Sequence, residues 1–492
     1  MWGIMSEKSL LWITVITAVL FVGCGNEPTI TTDSQNGDDE EDTTETSPPK
    51  ETDVNFWLTR ADKSVQFERQ NVSLQFSSTN NGNPTISVDT TQTYQKMDGF
   101  GFALTGGSAY LINNLPDDQQ SELLHELFGT DSTQIGVSYL RVSIGSSDLN
   151  RRPFSYNDLG EGQTDPDLSE FDLGPDKFTV LPVLQQILEI NPDIKILGSP
   201  WSAPVWMKTN NSTIGGSLNP EYYDVYARYF VKYIETMQEK GIHIDAVTPQ
   251  NEPLHGGNNP SMVMQAEEQQ TFVRDHLGPA FEKADLDTKI IVWDHNADNP
   301  GYPIQVLSDP EARKYIAGSA FHLYGGDISA LSEVHNRYPE KNLYFTEQYT
   351  PASASFSDDL SWHVRNLIVG ATRNWSKNVI EWNLASDPNY DPHTDGGCDV
   401  CKGALTIGNS IERNASYYII ASASKFVRPA SKRIASNMTA NLKNVAFKTP
   451  SGNKVLIVLN DGESSETFNI SFDGESVSPT LKSGSVGTFV WK

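Results

Sequence analysis

Two glutamates draw attention by where they fall in the chain. Glu252 lies in Thr248-Pro249-Gln250-Asn251-Glu252-Pro253 and Glu347 in Tyr344-Phe345-Thr346-Glu347-Gln348-Tyr349, each just beyond a short apolar run of the kind that makes a buried strand. One carboxyl that keeps its proton and one that stays ionised, about 5 to 5.5 Å apart across the scissile bond, is the pair needed to cleave a glycosidic bond with retention. Their separation of 95 positions leaves room for three intervening strand–helix units. Spacing along the chain does not fix distance in space, and a Glu at a strand end is as readily a solvated loop residue or a helix cap.

Elements able to bring the two together are visible in the middle of the chain. Short apolar runs at Gly99 to Leu104, Tyr139 to Ile144, Lys195 to Ser199, Ala246 to Pro249, Lys289 to Trp293, Ser319 to Leu323, Leu343 to Thr346 and Val379 to Asn383 alternate with helically spaced segments. In Tyr222 to Lys240, for example, Tyr226, Tyr229, Phe230, Tyr233, Ile234 and Met237 recur at three and four, and Gly241 stops the helix. Eight such strands predict an α/β fold, a TIM (β/α)8 barrel over 96–425, with chemistry at the carboxyl ends of the strands. A doubly wound sheet is the structural alternative, but no Gly-rich phosphate turn follows any strand. On either side the pattern changes to short alternating runs and turns. Val72 to Phe76 and Thr85 to Val88 read as strands in 54–95, and Asn444 to Phe447, Lys454 to Leu459, Glu466 to Ile470 and Thr488 to Trp491 in 426–492. An accessory β-sandwich built from both chain ends accounts for them.

Composition narrows the partners. The 492 residues carry 36 Lys plus Arg against 63 Asp plus Glu, a formal charge of −27, the wrong sign for a protein that neutralises phosphates, so nucleic acid is not an expected partner. Ten Trp, 18 Tyr and 21 Phe supply faces for sugar rings or for a large core, and the count does not separate the two. Residues 1–23 contain the apolar stretch Leu10 to Val22, of signal-peptide length and short for a membrane span, followed by Gly23-Cys24. This order resembles a bacterial lipoprotein processing box, with Phe21 standing where Leu is usual, and implies a lipid on Cys24 and export to the outer membrane, the cell surface or a periplasmic face. Residues 24–53 hold ten acidic residues and almost nothing apolar, the composition of a disordered tether. The lipid would be the chain's only membrane attachment, and a monomer is expected.

The strings DGFGFALTGGSA, LRVSIGSSDL, LGSPWSAPVWMKTN, AVTPQNEP, FHLYGG, LYFTEQ and EWNLA, in this order, resemble glycoside hydrolase family 30 from about Asp98 to Lys492. That family includes glucosylceramidases and microbial β-1,6-glucanases, and its TIM barrel and β-sandwich agree with the elements above. The resemblance makes Glu252 the general acid/base and Glu347 the nucleophile, and sets Asn251 near the sugar 2-hydroxyl. It places Arg141 under the site, where fixed donors keep the nucleophile ionised. Trp201, Trp382 and Tyr324 become walls for the bound ring, with His322 a polar wall beside them. Taken without the family, each aromatic is more often core and His322 more often a satisfied structural histidine.

One departure bears on substrate. Glucosylceramidases carry an Asp after the first strand that holds distal hydroxyls of a terminal glucose, and the resemblance sets Gly106 at that position. A missing carboxylate there implies an open site. Together with the loop His255-Gly256-Gly257-Asn258-Asn259 and the insertion 391–397, it points to the β-1,6-glucanase branch and a β-glucan substrate. An exo-β-glucosidase or glucosylceramidase, a xylanase and a noncatalytic glycan-binding lipoprotein are the rivals. Cys398 and Cys401 form a Cys-x-x-Cys in an exported chain, where a loop-stapling disulfide is favoured over a metal or redox site. A structural zinc would want four ligands and only His393 is near, so no metal and no cofactor are expected.

Overall fold

The computed structural model describes residues 50–78 and 81–492. Residues 1–23, Cys24 and all but the last four residues of the 24–53 segment lie outside it. Among the described residues no helix is long and apolar enough to cross a membrane.

Eight parallel strands form the barrel, numbered here β1 (Gly99–Ala103), β2 (Tyr139–Ser143), β3 (Lys195–Ser199), β4 (Ala246–Val247), β5 (Lys289–Ala297), β6 (Ile316–Gly326), β7 (Asn342–Glu347) and β8 (Asn378–Asn383). Each pairs in parallel with its neighbour, and β8 pairs with β1. The seam between β7 and β8 is closed by Lys377 N–H donating to Leu343 O and by the Asn378 side chain accepting from Phe345 N–H. Closeness of backbones demands Gly101 in β1, where a Cβ would lie 1.8 Å from Tyr139 O.

Strand periodicity sets what fills the barrel. Tyr139, Leu197, Ala246, Ile291, Ala320, Tyr344 and Ile380, one from each of β2 to β8, form a separate buried cluster. Side chains two residues farther along a strand point the same way, so each next inward position toward the mouth follows from this layer. Those positions are Arg141, Ser199, Thr248, His322, Thr346 and Trp382, all buried and five of them polar; in β5 the position is Trp293, where the ladder shifts register, and the buried Asp294 follows it. An apolar plug below and a polar layer above it are thus written into alternate residues.

Three strands differ most in length from the sequence reading. β4 is only two residues long because Pro249 has no N–H with which to carry the ladder beyond the Thr248 N–H bond to Gly198 O. β5 and β6 run past the barrel rim as a pair and carry His295, Asn296 and Tyr324 into the mouth. The helix over Tyr223–Glu239 ends as expected, with Gly241 at φ +79° and its N–H bonded to Gln238 O.

The accessory sheet mixes both ends of the chain. Asn55–Thr59 lies between Gln66–Arg69 and Val486–Trp491, and Thr85–Lys96 pairs with Lys432–Ser436 on one side and Asn469–Phe472 on the other. Its own core includes Phe56, Ile86, Leu456, Val458, Phe489 and Trp491. Val72 to Phe76 is not a strand. Leu74 O accepts from the Asp53 and Val54 N–H groups, Leu74 N–H donates to the Thr52 hydroxyl, and Phe76 N–H donates to the Asp53 carboxylate, so local side chains replace a ladder.

Candidate active site

Arg141, at the third position of β2, has no exposed surface and is the hub of the polar layer. Its Nη1 donates to Glu347 Oε2, and its Nη2 to Asn251 Oδ1 and Asp294 Oδ2, both at 2.7 Å. The guanidinium lies 4.8 Å from the Trp201 ring centre and 5.6 Å from that of Trp382. A buried guanidinium needs counter-charge, and here two carboxylates supply it.

Asp294, which the sequence reading missed, is the second hub. It accepts from Arg141, from the hydroxyls of Ser199 and Thr248 at 2.8 Å, from Thr346 Oγ1 at 2.6 Å and from His322 Nε2 at 3.2 Å. Burial would raise its carboxyl, but the Arg141 charge and these donors hold it far below the ordinary range. Its backbone is left-handed at φ +64°, as are Trp293 at +76° and Glu252 at +43°, and Glu252 N–H donates to Asp294 O. The ends of β4 and β5 are locked together in conformations a non-glycine residue rarely adopts, a local cost that the surrounding bonds sustain.

His322 stands between the acidic groups. Its Nδ1 is 3.2 Å from Glu252 Oε1 and 4.0 Å from Glu347 Oε1. Those contacts to a single nitrogen cap the separation of the two oxygens near the lower end of the roughly 6.5 to 9.5 Å span used by inverting enzymes. Burial alone would lower the imidazole, but the charges of Glu347, Asp294 and Glu252 keep it protonated up to a pKa of about 9. His295, also missed, brings Nδ1 to 3.4 Å from the same Glu252 oxygen. Against the upward push of burial, the two imidazoles hold the Glu252 carboxyl well below its usual value. Burial pushes Glu347 up, opposed by His322 and Arg141. With a guanidinium donating directly to it and Tyr324 Oη donating at 2.9 Å, the bound form of Glu347 is the carboxylate. One potential ligand atom from each of Glu252, His295 and His322 lies within 4.8 Å of the others, a set of metal-ligand type.

Above this layer is a cavity of about 210 Å³, below the range of drug-sized pockets and suited to one sugar ring. Its lining includes Trp201, Asn251, Glu252, Tyr324, Glu347 and Trp382. The two indoles stack with ring centres 5.3 Å apart. Asn251 commits its Oδ1 to Arg141, which leaves its amide N–H groups for a ligand. Arg141 and His322 do not line the cavity. Both lie beneath it, so His322 is a partner of the two glutamates and not a wall for the ring.

Gly106 is where the sequence reading has to be corrected. It opens the helix Gly106–Asn113 behind Thr105, is buried, and would place a Cβ 1.9 Å from Asn150 Nδ2, away from the cavity lining. Its missing side chain therefore opens nothing. The carboxylate of the pocket is Asp148, in the string LRVSIGSSDL that follows β2, and the signal was its place seven residues after Arg141. Asp148 Oδ2 accepts from Cys398 N–H at 3.2 Å. Burial, then the Glu347 charge, push it up to about 7.

The two loops flagged in the sequence meet over the mouth. Asn259 Nδ2 donates to Asp395 O at 3.1 Å and Thr394 Oγ1 donates to Asn259 O, while Thr394 N–H reaches back to Asp148 O. Cys398 and Cys401 form the expected disulfide and both line the cavity. His393 turns away, with Nδ1 on Thr394 O.

Comparison with known proteins agrees with this geometry. Residues 97–427 match the glycosyl hydrolase family 30 TIM-barrel domain, and residues 431–489 the glycosyl hydrolase family 30 beta sandwich domain. The endo-1,6-beta-D-glucanase neg1 of Aspergillus fumigatus is 34% identical over 81% of this chain and 84% of its own. An endo-1,6-beta-D-glucanase of Neurospora crassa is 37% identical over 70% and 73%. Among solved structures, the endo-beta1,6-glucanase BT3312 superimposes with a TM-score of 0.84 at 36% identity, covering 90% of this chain and 99% of that one.

Proposed function

The chain belongs to glycosyl hydrolase family 30, and from that premise we propose that it is a retaining endo-β-1,6-glucanase working through a covalent glycosyl-enzyme. The observation that carries the chemistry is the pair Glu252 and Glu347 facing one protonated imidazole at the edge of a cavity walled by stacked indoles. The linkage rests on the relatives, whose names specify 1,6-β-glucan.

The sugar ring lies over Trp201 and Trp382, with Asp148 and Asn251 taking its hydroxyls. Glu347, held ionised by Arg141 and Tyr324, attacks the anomeric carbon. The departing oxygen takes a proton from the Glu252–His322 pair, which shares one proton below about pH 9. Once Glu347 becomes an ester its charge is gone, and with it a main support of the His322 proton. Glu252 then accepts a proton from the incoming water, which breaks the ester with overall retention. Asp294 fixes both Arg141 and His322 and so sets the protonation of acid and nucleophile together.

A second reading, release of terminal glucose, has Asp148 and the joined loops on its side, because a carboxylate lining a small, partly roofed cavity suits capture of a chain end. A noncatalytic binder has no need of the Asp294 network. The sequence of residues 1–24 supports an exported lipoprotein with its anchor at Cys24, at the outer membrane, cell surface or periplasmic face, and we read the chain as a monomer. The product profile tests the activity. Incubation with β-1,6-glucan, β-1,3-glucan, xylan and an aryl β-glucoside is expected to give a ladder of β-1,6-linked oligosaccharides from the first. Glucose alone would establish the second reading, and xylo-oligosaccharides a xylanase.

A further inference from the structure

A transverse row of lysines crosses one end of the sandwich. Lys96 sits directly opposite Lys432, Lys432 opposite Lys448, and Lys448 opposite Lys454, on four consecutive strands. Directly opposed residues project from the same face at about 4.8 Å per strand, so the four ammonium stems start within about 14 Å of one another. Like charges in that relation destabilise a sheet. Lys96, Lys432 and Lys448 are exposed, whereas Lys454 is largely buried with its ammonium 4.9 Å from the Phe472 ring centre. Burial and then the Lys448 charge lower the Lys454 ammonium, a mark of repulsion along the row. Among the described residues none of the four makes an ion pair or a side-chain hydrogen bond. Of the acids close to the row in chain or sheet, Asp53 accepts from Phe76 N–H and Asp98 pairs with Lys377, and neither pairs with a lysine of the row. In a chain of charge −27, a row of unneutralised cations calls for an anionic partner.

Position narrows that partner. The strand Thr85–Lys96 leads within three residues into β1, whose far end carries the mouth, so Lys96 is on the face of the barrel opposite the cavity. There it lines a cleft with Lys341, whose ammonium donates to Arg313 O and Ile316 O, and Lys377, which pairs with Asp98. The first described strand begins at this end too, because Asn55 lies opposite Val490, beside Trp491, which is paired with Lys454. The chain therefore enters the fold next to the lysines, 26 residues after Cys24. A neutral glucan offers such a row nothing.

We infer that this lysine row is a docking face for an anionic, phosphate-bearing membrane surface, and that it turns the barrel mouth outward. Charges more than about 8 Å from the contact are screened at physiological salt, so the acidic bulk of the protein does not oppose it. The setting rests on the anchored reading above, while the contact itself can be tested without the anchor.

The test uses the chain from residue 24 with Cys24→Ser, sedimented with phosphatidylglycerol-containing or pure phosphatidylcholine vesicles at low and high salt. Binding is expected to the anionic vesicles alone and to vanish at high salt. Each exposed lysine is worth about fivefold, so the triple variant Lys96→Gln, Lys432→Gln, Lys448→Gln should lose about a hundredfold in partitioning. Its melting temperature and turnover of a soluble aryl glucoside should be unchanged. Equal binding to neutral vesicles, or wild-type binding by the triple variant, would overturn the proposal. So would displacement by inorganic phosphate beyond that by chloride at equal ionic strength, which would mark a site for free phosphate. Whether Cys24 is lipidated is read separately, from the mass of the exported chain, and the catalytic reading from the products of β-1,6-glucan.

Discussion

Replacing Asp294 by Asn tests the proton arrangement directly. His322 is held near 9 against an ordinary value of 6.5, a difference that corresponds to about 3 kcal/mol favouring the imidazolium. Three carboxylates share that support, and Asp294 is the one bonded to Nε2. Asn at this position offers an N–H that Nε2 accepts when the ring is neutral, which favours the neutral form with Nδ1–H toward Glu252. Losing about a third of the support moves the imidazole down by about one unit. The alkaline limb of kcat/KM should move from near pH 9 to near pH 8, a loss of about fivefold at pH 9 relative to pH 6.5. The same group governs stability. Its folded pKa is raised, so its contribution is full below pH 6.5 and is lost as pH rises through 9, and the variant should show a smaller fall in melting temperature over that window. The assay is a pH profile on a β-1,6-gluco-oligosaccharide, whose poor leaving group needs the acid. A dinitrophenyl glucoside, which does not need it, should show no alkaline limb. An Asp294→Asn profile with its alkaline limb still at 9 would refute the shared-proton account.

Other consequences are open to simpler measurements. Glu347→Gly should abolish turnover, and added azide should restore it by filling the vacated space, giving an α-linked glycosyl azide; rescue with a β-linked product would deny Glu347 the nucleophile's place. Asp148→Ala removes a buried acceptor of sugar hydroxyls and should raise KM by about ten- to a hundredfold with little change in kcat, which steady-state kinetics at pH 8, above its pKa of about 7, will show. Zn²⁺ should inhibit by taking the proton's place among Glu252, His295 and His322, and a chelator should reverse it; a His295→Phe variant inhibited as strongly as wild type would exclude that site.

What the sequence disclosed follows from how each feature is encoded. The eight barrel strands are buried apolar runs, and burial is a local property of composition, so Tyr139–Ser143 and Lys195–Ser199 emerge at their true limits or within a residue. Glu252, Glu347, Arg141 and the two indoles stand at strand ends inside strings that can be matched as strings. Asp294 and His295 do not, because the expected end of β5 was Trp293 and the strand continues four residues beyond it, stabilised by pairing with a β6 that is also longer than its apolar run. Long-range pairing, not propensity, makes that extension, and no window of one strand contains it.

The substrate argument failed for a related reason. Gly106 and Asp148 sit in consecutive βα loops, and which loop supplies the carboxylate depends on how each folds over the mouth. Thr105 caps a helix at once and turns Gly106 into the protein, where Asn150 fills the space beside it. The loop after β2 instead stays irregular, and Asp148 is fixed by Cys398 N–H and Thr394 N–H from the insertion after β8, some 250 residues away. A carboxylate whose place in the pocket is set by a disulfide-bonded loop at the far end of the barrel's sequence has no local signature. The loops joined over the mouth leave a cavity of about 210 Å³. For internal cleavage the glucan must therefore leave this cavity through the mouth, on the side of β5 to β7 where Tyr324 is exposed, because the side over β1 to β3 is roofed by Asn259, Thr394 and Asp395.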